Sequence, residues 1–304
     1  MKKVKYKIEY YLFIFFKMLV GILPKVIMKN ILNSLSYLYM LIDRRHLKVI
    51  YQNIDFSFGG KLNLSQKEKI SREVYRNLFY NVYEMIKNRQ IKKEDMLLKI
   101  KHINGFEYLK ECLDKKEKII FISAHYGNWE LLSHYLSQYS KITVVGRKLN
   151  NKFLNKELYK LRETEDIEML EKSEAAKGMI KALKENRMLG LVIDQNVNEK
   201  GGVLTKFFNK EVYFINSAAK LAIKQKAVIL PMYLNIDDLG EYTLDIKETI
   251  RVNKVTTKEE EKEEEKKLVQ KYASSMEEQI KKNKNQWFWV HKRYKTNFPH
   301  IYSK

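Results

Sequence analysis

The sequence predicts an α/β protein with a mostly parallel central sheet flanked by helices. From residue 100 onward, strand-like apolar runs alternate with helix-like stretches, a pattern typical of a parallel sheet covered by helices. The chain has 304 residues, which is enough to bury a substantial core. A separate helical segment of unusually apolar composition precedes this alternating region. We therefore expect one large α/β domain with an N-terminal helical extension.

The N-terminal extension combines apolar sequence with positive charge. Residues 10–23 and 26–42 are two apolar helical segments, and residues 1–48 carry ten Lys or Arg against the two acids Glu9 and Asp43. A spanning helix would require Lys17 to snorkel, whereas an interfacial helix or a re-entrant pair fits equally well, and two core helices are the alternative. We expect residues 1–45 to be membrane-associated and residues 46–304 to form the main domain. If the chain contacts a bilayer, the four lysines among the first seven residues favour keeping the N-terminus and the basic face of the domain on the cytoplasmic side.

The remaining elements follow from periodicity and end signals. Residues 64–90 are predicted to be a helix whose start carries a capping-box pattern formed by Ser65 and Glu68. Strands are predicted at 118–124, 141–145, 188–193, 227–235 and 241–250. Helices are predicted near 105–114, 128–139, 151–163, 174–187 and 216–226, and a charged helix at 258–283.

Charge and cysteine content narrow the classes of function. The formal net charge of +21 predicts attraction to a polyanion such as anionic lipid, an acidic protein or nucleic acid. The basic residues accompany the apolar segment and no nucleic-acid module is recognisable, so a membrane surface explains them better than nucleic acid. Cys112 is the only cysteine, which excludes an intramolecular disulfide. The spacing of His and Cys predicts no metal site.

A histidine and a carboxylate meet where the strand at 118–124 gives way to the next helix. His125 precedes the helix, Asn128 is its predicted N-cap, and Glu130 falls in its first turn. A neutral imidazole can accept a proton from a hydroxyl, and a carboxylate on its other nitrogen would fix the tautomer and stabilise the imidazolium. The alternative is a polar strand end followed by a solvated glutamate. Backbone amides near Asn128 are candidate oxyanion donors.

Two charged residues follow other predicted strands at their carboxyl ends, where open α/β sheets place their ligand sites. Arg147 follows the strand at 141–145 and could bind a phosphate or carboxylate, or be an ordinary surface arginine. Asp194 follows the strand at 188–193 and begins a polar loop. It could be a turn former or a helix cap, or it could orient the substrate sugar or the catalytic arginine.

Several segments together resemble one family. Residues 125–130, His-Tyr-Gly-Asn-Trp-Glu, resemble the H-x-x-x-x-D/E signature of acyltransferases that esterify lipid hydroxyls. More narrowly they resemble the lauroyl/myristoyl acyltransferases of lipid A biosynthesis, and residues 146–151, 191–196, 202–208 and 287–295 resemble that family in the same order. The resemblance implies a glycerolipid-acyltransferase-like fold, with residues 46–304 as the catalytic domain.

The resemblance also implies a reaction and a set of site residues. His125 and Glu130 would be catalytic, and the substrate-binding residues would be Arg147, Arg162, Asp194, Gln195 and Phe208. The match at Arg162 is incomplete, because the glycine that usually follows this arginine in the family is absent here. Phe208 could line an acyl groove or lie in the core, and its usual following glycine is Asn209. Trp287 and Trp289 could anchor at a membrane or pack in the core.

The implied reaction is acyl transfer to a hydroxyl of a lipid A precursor at the cytoplasmic face of the inner membrane. The donor would be an acyl carrier protein thioester, with no cofactor beyond the acyl co-substrate. Acyl-CoA as donor, with another glycolipid or phospholipid as acceptor, is one alternative. A non-enzymatic basic protein that binds membranes or nucleic acid is the other.

Overall fold

A computed structural model describes residues 2–89 and 91–303. The helices are α1 (Lys2–Ile22), α2 (Lys25–Ile42), α3 (Arg44–Phe58), α4 (Leu64–Lys87), α5 (Lys93–Lys99), α6 (Phe106–Asp114), α7 (Trp129–Leu136), α8 (Lys152–Arg162), α9 (Ala175–Lys184), α10 (Ser217–Gln225) and α11 (Lys258–Lys282). The strands are β1 (Ile100–Asn104), β2 (Ile119–Ser123), β3 (Ile142–Gly146), β4 (Ile167–Glu171), β5 (Met188–Val192), β6 (Gly202–Phe207), β7 (Lys210–Ile215), β8 (Val228–Asp238) and β9 (Glu241–Ile246).

Seven strands form one sheet in the order β1-β9-β8-β2-β5-β3-β4. The five strands from β8 to β4 run parallel to their neighbours, whereas β9 is antiparallel to β8 and parallel to β1. Strands β6 and β7 form a separate antiparallel hairpin. The predicted α/β fold with a mostly parallel sheet is confirmed.

The core has two layers, one on each face of this sheet. Along β2, Ile120 and Ile122 point to a layer that includes α9, α10 and α11, whereas Ile119 and Phe121 point to a layer that includes α2, α4, α6 and α7. All five residues of β2 are buried. This explains why β2 is a continuous apolar run rather than an alternating one.

Most predicted elements are found within a few residues of their predicted bounds, with two local corrections. The capping box of α4 is formed by Asn63 and Gln66 instead of Ser65 and Glu68, because each side chain bonds the other residue's backbone N–H at 2.9 Å. The strand predicted through residue 250 ends at Ile246, the last residue of β9. The predicted end of α4 at residue 90 lies outside the described residues.

The N-terminal helices pack on the main domain through apolar and polar contacts, since Val20 of α1 and Met28 of α2 are buried in the core. Lys17 of α1 pairs with Glu157 of α8 at 3.0 Å, and Lys29 of α2 pairs with Asp238 at 2.5 Å. The side-chain amide of Asn151 donates to the Tyr6 carbonyl at 2.9 Å. Within the described ranges, every helix is too short or too polar to cross a membrane. The division at residue 45 stays a prediction.

Candidate active site

The site forms where β2, β5 and β3 end side by side. Because these three strands are parallel neighbours, the residues that follow them meet at one edge of the sheet. His125 follows β2, Asp194 follows β5 and Arg147 follows β3. The sequence placed each of these residues at the carboxyl end of a predicted strand. The order of the strands in the sheet determines which of the residues are in contact.

His125 is held by Asp194. The imidazole Nδ1–H donates to Asp194 Oδ1 at 2.7 Å, and the backbone N–H of His125 donates to Oδ2 at 3.0 Å. The indole N–H of Trp287 donates to the same Oδ2 at 2.8 Å. Three donors therefore fix an almost completely buried carboxylate, whose side chain is 2% exposed. This arrangement holds the imidazole in the tautomer protonated at Nδ1 and leaves Nε2 available to a substrate.

The electrostatics of the pair favour a charged couple. Burial alone would lower the pKa of His125, but the Asp194 carboxylate outweighs it, so the pKa of His125 lies above its ordinary value. Burial would raise the pKa of Asp194, but His125 and the Trp287 N–H favour the ionised form and hold the pKa of Asp194 well below its ordinary value. An imidazolium formed during reaction would therefore have its counter-charge already in place.

The turn that carries His125 is rigid. Gly127 has φ +51, and a Cβ there would lie 1.9 Å from the Leu234 carbonyl oxygen, so only glycine fits. Its N–H donates to the Gln286 carbonyl at 2.8 Å, and its own carbonyl accepts from Asn81 at 2.8 Å. Asn128 caps α7 as predicted, because its side chain accepts the Leu131 N–H at 3.1 Å.

The same contacts remove three of the expected oxyanion donors. The Gly127 N–H is bonded to Gln286, and the Asn128 N–H donates to the Leu234 carbonyl at 2.8 Å. The Leu131 N–H is bonded to the Asn128 side chain. A developing oxyanion would therefore need a donor other than these three amides.

Glu130 pairs with Arg162, and the predicted contact with His125 is not formed. Arg162 Nε donates to Glu130 Oε2 at 2.8 Å, and a second guanidinium nitrogen bonds Oε1, giving a bidentate pair. Because α7 begins at Trp129, Glu130 lies in the first turn, directed at the last turn of α8, where Arg162 lies. Glu130 and Arg162 affect the pKa of His125 in opposite directions, which limits the effect of the pair on the base.

A cavity of about 510 Å³ opens beside His125. Its apolar wall comprises Phe121, Leu132, Val144, Leu158, Met169 and Leu191. Gly190 also lines it and leaves room for Phe121, since a Cβ at Gly190 would lie 2.2 Å from the Phe121 ring. The site therefore joins a reactive imidazole to an apolar space.

The charged rim of the cavity holds the other predicted residues. Glu130, Arg162 and Gln195 line it. Arg147 and Lys172 also line it, both are exposed, and neither forms an ion pair with any residue that the structure describes. Two free cations at one opening suit an anionic group on a substrate.

Phe208 does not line the cavity. It is buried in the core layer that contains α11, 5.3 Å from the Phe58 ring and 6.3 Å from Trp289 between ring centroids. Phe208 and Asn209 both have positive φ, at 50° and 57°, and form the two-residue turn between β6 and β7. Of the two readings of Phe208, the core position is the one observed.

The C-terminal segment contributes Trp287 and His291 to the site, a role that sequence reasoning predicted for neither residue. Trp287 is buried and holds Asp194, and Trp289 is buried beside it, so both tryptophans pack in the core. His291 lines the cavity. The sequence signal for these residues was the resemblance of residues 287–295 to the family. No group of three or more His, Cys, Asp or Glu in the described part of the chain could hold a metal ion.

Comparisons with known proteins show the family of the chain. A solved structure similar to the chain is the 1-acyl-sn-glycerophosphate acyltransferase PlsC of Thermotoga maritima, with 15% identity, a TM-score of 0.35, and coverage of 80% of this chain and 97% of that one. No curated protein matches the sequence significantly. Residues 1–296 match the family model described as bacterial lipid A biosynthesis acyltransferase. Since this match extends over nearly the whole sequence, the chain belongs to the bacterial lipid A biosynthesis acyltransferase family.

Proposed function

We propose that this protein transfers a fatty acyl chain from an acyl carrier protein thioester to a hydroxyl of a lipid A precursor, with His125 as the general base. The observation that carries the proposal is the His125–Asp194 pair at 2.7 Å, beside a cavity with an apolar wall. A base of this kind activates a hydroxyl, and an apolar space accepts a fatty tail.

The reaction proceeds in two steps without an acyl-enzyme. The acceptor hydroxyl loses its proton to His125 Nε2 while its oxygen bonds to the thioester carbonyl carbon, and the C=O electron pair moves onto the carbonyl oxygen. Collapse of this tetrahedral species breaks the carbon–sulfur bond. The departing thiolate takes the proton from His125, which leaves an ester, a thiol and the neutral imidazole.

Asp194 is the positioning residue for this base. It accepts the Nδ1–H at 2.7 Å, so the proton must be taken at Nε2, and its charge stabilises the imidazolium during the first step. The Trp287 N–H and the His125 backbone N–H hold the carboxylate in this orientation. Glu130 and Arg162 act together at the cavity wall, where their bidentate pair shapes the space around the acceptor.

The acceptor's phosphate is assigned to the free cations at the rim. Arg147 and Lys172 are the exposed basic residues that line the cavity opening, and a guanidinium binds phosphate in a bidentate manner. The net charge of +21 supports an acidic carrier protein as the donor's scaffold, because electrostatic steering increases the rate of encounter.

The assay that tests the proposal supplies two donors to the purified protein. An acyl carrier protein thioester and the matching acyl-CoA are each incubated with a lipid A precursor, and products are analysed by mass spectrometry. We expect an acceptor heavier by one acyl group, one free thiol per turnover, and a higher kcat/KM with the carrier protein at low salt. If ester forms with acyl-CoA but not with the carrier protein thioester, the carrier protein is rejected as the donor. If no ester forms with either donor, the proposed reaction is rejected.

The exposed face of α1 supports attachment to the inner membrane, with the catalytic domain on the cytoplasmic side. Its apolar side chains recur three to four residues apart and are between 51% and 69% exposed: Val4, Ile8, Tyr11, Leu12, Phe15, Met18 and Ile22. The opposite side of α1 carries Lys17, which is paired with α8. We propose that α1 lies in the plane of the membrane surface.

This placement brings the lipid close to the cavity. Tyr10 of α1 contacts Phe153 of α8 at 5.7 Å between ring centroids, and Asn151, which caps α8, bonds the backbone of α1. Leu149, two residues before that cap, lines the cavity and is exposed. An acceptor held in the membrane could therefore reach His125 without leaving the bilayer completely.

Charges introduced into the apolar face should release the protein from membranes. Each buried apolar side chain contributes about 1.5–3 kcal/mol, so Leu12→Glu with Phe15→Glu should weaken binding to anionic vesicles by a factor on the order of 10² or more. Leu204→Glu, at an exposed leucine of the β6–β7 hairpin, is the matched control and should bind normally. Vesicle co-sedimentation measures both variants, and equal binding would contradict the assignment.

A further inference from the structure

A second imidazole lies in the cavity wall next to the base. The ring centroids of His125 and His291 are 5.3 Å apart and their planes are inclined at 67°. Both side chains line the same cavity. The His291 side chain has no hydrogen-bond partner among residues 2–89 and 91–303, so its ring nitrogens are available to a substrate.

The position of His291 is fixed by its backbone and by one aromatic neighbour. Its carbonyl accepts from the Asn53 side chain at 2.7 Å and from the Arg293 N–H at 2.7 Å. The Phe288 ring packs 5.1 Å from the imidazole, and the Phe288 N–H donates to the His125 carbonyl at 2.8 Å. His291 is therefore held in a constant relation to His125 itself.

Two features of the site leave a role for this side chain. Acyl transfer places negative charge on the thioester carbonyl oxygen, and a donor aimed at that oxygen accelerates the reaction. The amides of Gly127, Asn128 and Leu131 are already bonded within the protein. The Arg162 guanidinium is engaged with Glu130. Among the cavity-lining side chains whose donors are unused by the described residues, His291 is the one whose ring packs against the His125 ring, 5.3 Å away between centroids.

The protonation of His291 suits a neutral donor. Burial lowers the pKa of His291, and the neighbouring His125 lowers it further, while Asp194 opposes both. The pKa of His125 is raised, so the two environments shift the pKa values of the two imidazoles in opposite directions. A neutral imidazole retains one N–H and does not compete with His125 for the Asp194 carboxylate.

We propose that His291 is a catalytic residue that donates a hydrogen bond to the oxyanion formed from the thioester carbonyl. The inference rests on the proposed acyl transfer and adds a second histidine to it. The carbonyl carbon would lie in the cavity beside both rings, with the acceptor oxygen approaching from His125 and the carbonyl oxygen facing His291.

Two substitutions separate hydrogen bonding from packing. His291→Phe keeps a planar ring against Phe288 but has no donor, whereas His291→Gln supplies an N–H in a side chain of similar reach. We expect kcat to fall by about 10²–10³-fold in His291→Phe, the usual effect of removing one oxyanion donor, and to recover by at least about tenfold in His291→Gln. KM for donor and acceptor should change by less than about threefold, since the bond forms only in the transition state.

The readouts are steady-state kinetics with purified protein and the affinity for a non-hydrolysable thioether analogue of the donor. The thioether lacks the carbonyl, so the unaltered protein and His291→Phe should bind it equally. Undiminished kcat in His291→Phe, equal loss in both variants, or a loss confined to KM would overturn the assignment of His291. If the unaltered protein makes no ester at all, the proposed function fails and this inference fails with it.

Discussion

Replacing His125 with alanine is expected to slow acyl transfer by a factor on the order of 10² or more, because the acceptor hydroxyl then loses the group that takes its proton. The Asp194 carboxylate would remain but could not reach the hydroxyl in place of the imidazole. The measurement is the initial rate of ester formation with saturating donor and acceptor. The variant should remain folded, since His125 is only partly buried and, among the residues that the structure describes, its side chain hydrogen-bonds Asp194 alone.

The matched control is His102→Ala. His102 is an exposed residue of β1, and its replacement should leave the rate of ester formation unchanged. Far-ultraviolet circular dichroism and the unfolding temperature of both variants distinguish loss of chemistry from loss of fold. A His125→Ala protein that is folded and turns over at a near-normal rate would remove His125 from the mechanism.

The second large effect is expected for Asp194→Asn. An amide of similar size leaves the cavity unchanged, but it removes the charge that stabilises the imidazolium and no longer fixes the proton on Nδ1. We expect kcat to fall by about 10²–10⁴-fold, as is typical when the carboxylate of a His–Asp pair is neutralised. Single-turnover kinetics of ester formation measure this step without a contribution from product release.

Glu130→Gln is the comparison that decides between the two carboxylates. Glu130 bonds Arg162, so its neutralisation should weaken that pair and the positioning of the acceptor while leaving the base intact. We expect a smaller loss of kcat than for Asp194→Asn, with more of the effect in the acceptor KM. A loss of kcat equal to that of Asp194→Asn would restore Glu130 as the partner of the base.

The sequence predicted the positions of the candidate site residues better than their pairing. The apolar run that became β2, the capping residue Asn128 and the strand ends at Arg147 and Asp194 are local features, and each was recognisable. Glu130 looked like the natural partner of His125 because it is five residues away. In the folded chain the partner is 69 residues away, and only strand order brings it close.

The pairing follows from the adjacency of β2 and β5. Ser123 faces Val192 in the register of these parallel strands, and the Ile193 N–H donates to the Ser123 carbonyl at 3.1 Å. The residues just beyond, His125 and Asp194, must therefore lie side by side. Periodicity identifies strands but does not reveal which of them are neighbours, so this contact required the structure.

The elements missed in the sequence have weak patterns. Four of the five residues of β1 are exposed, and β4 is only five residues long and contains two glutamates. The β6–β7 hairpin has a Phe208–Asn209 turn, and phenylalanine is not a typical residue for positive φ. The role of Trp287 was hidden for a different reason. It belongs to a segment that returns to the site from the far end of the chain.

The central claim is that a neutral imidazole held by the Asp194 carboxylate acts as the base, and the pH dependence of kcat/KM tests it most directly. The base must be neutral to accept a proton, so activity should be lost as the pH falls through the pKa of His125. That pKa is raised, so the acid limb should lie above the ordinary histidine value of about 6.5. In Asp194→Asn the limb should move to lower pH, because the carboxylate that raises the pKa is gone. A limb at the same pH in both proteins would contradict the assignment of Asp194 and His125 as the catalytic pair.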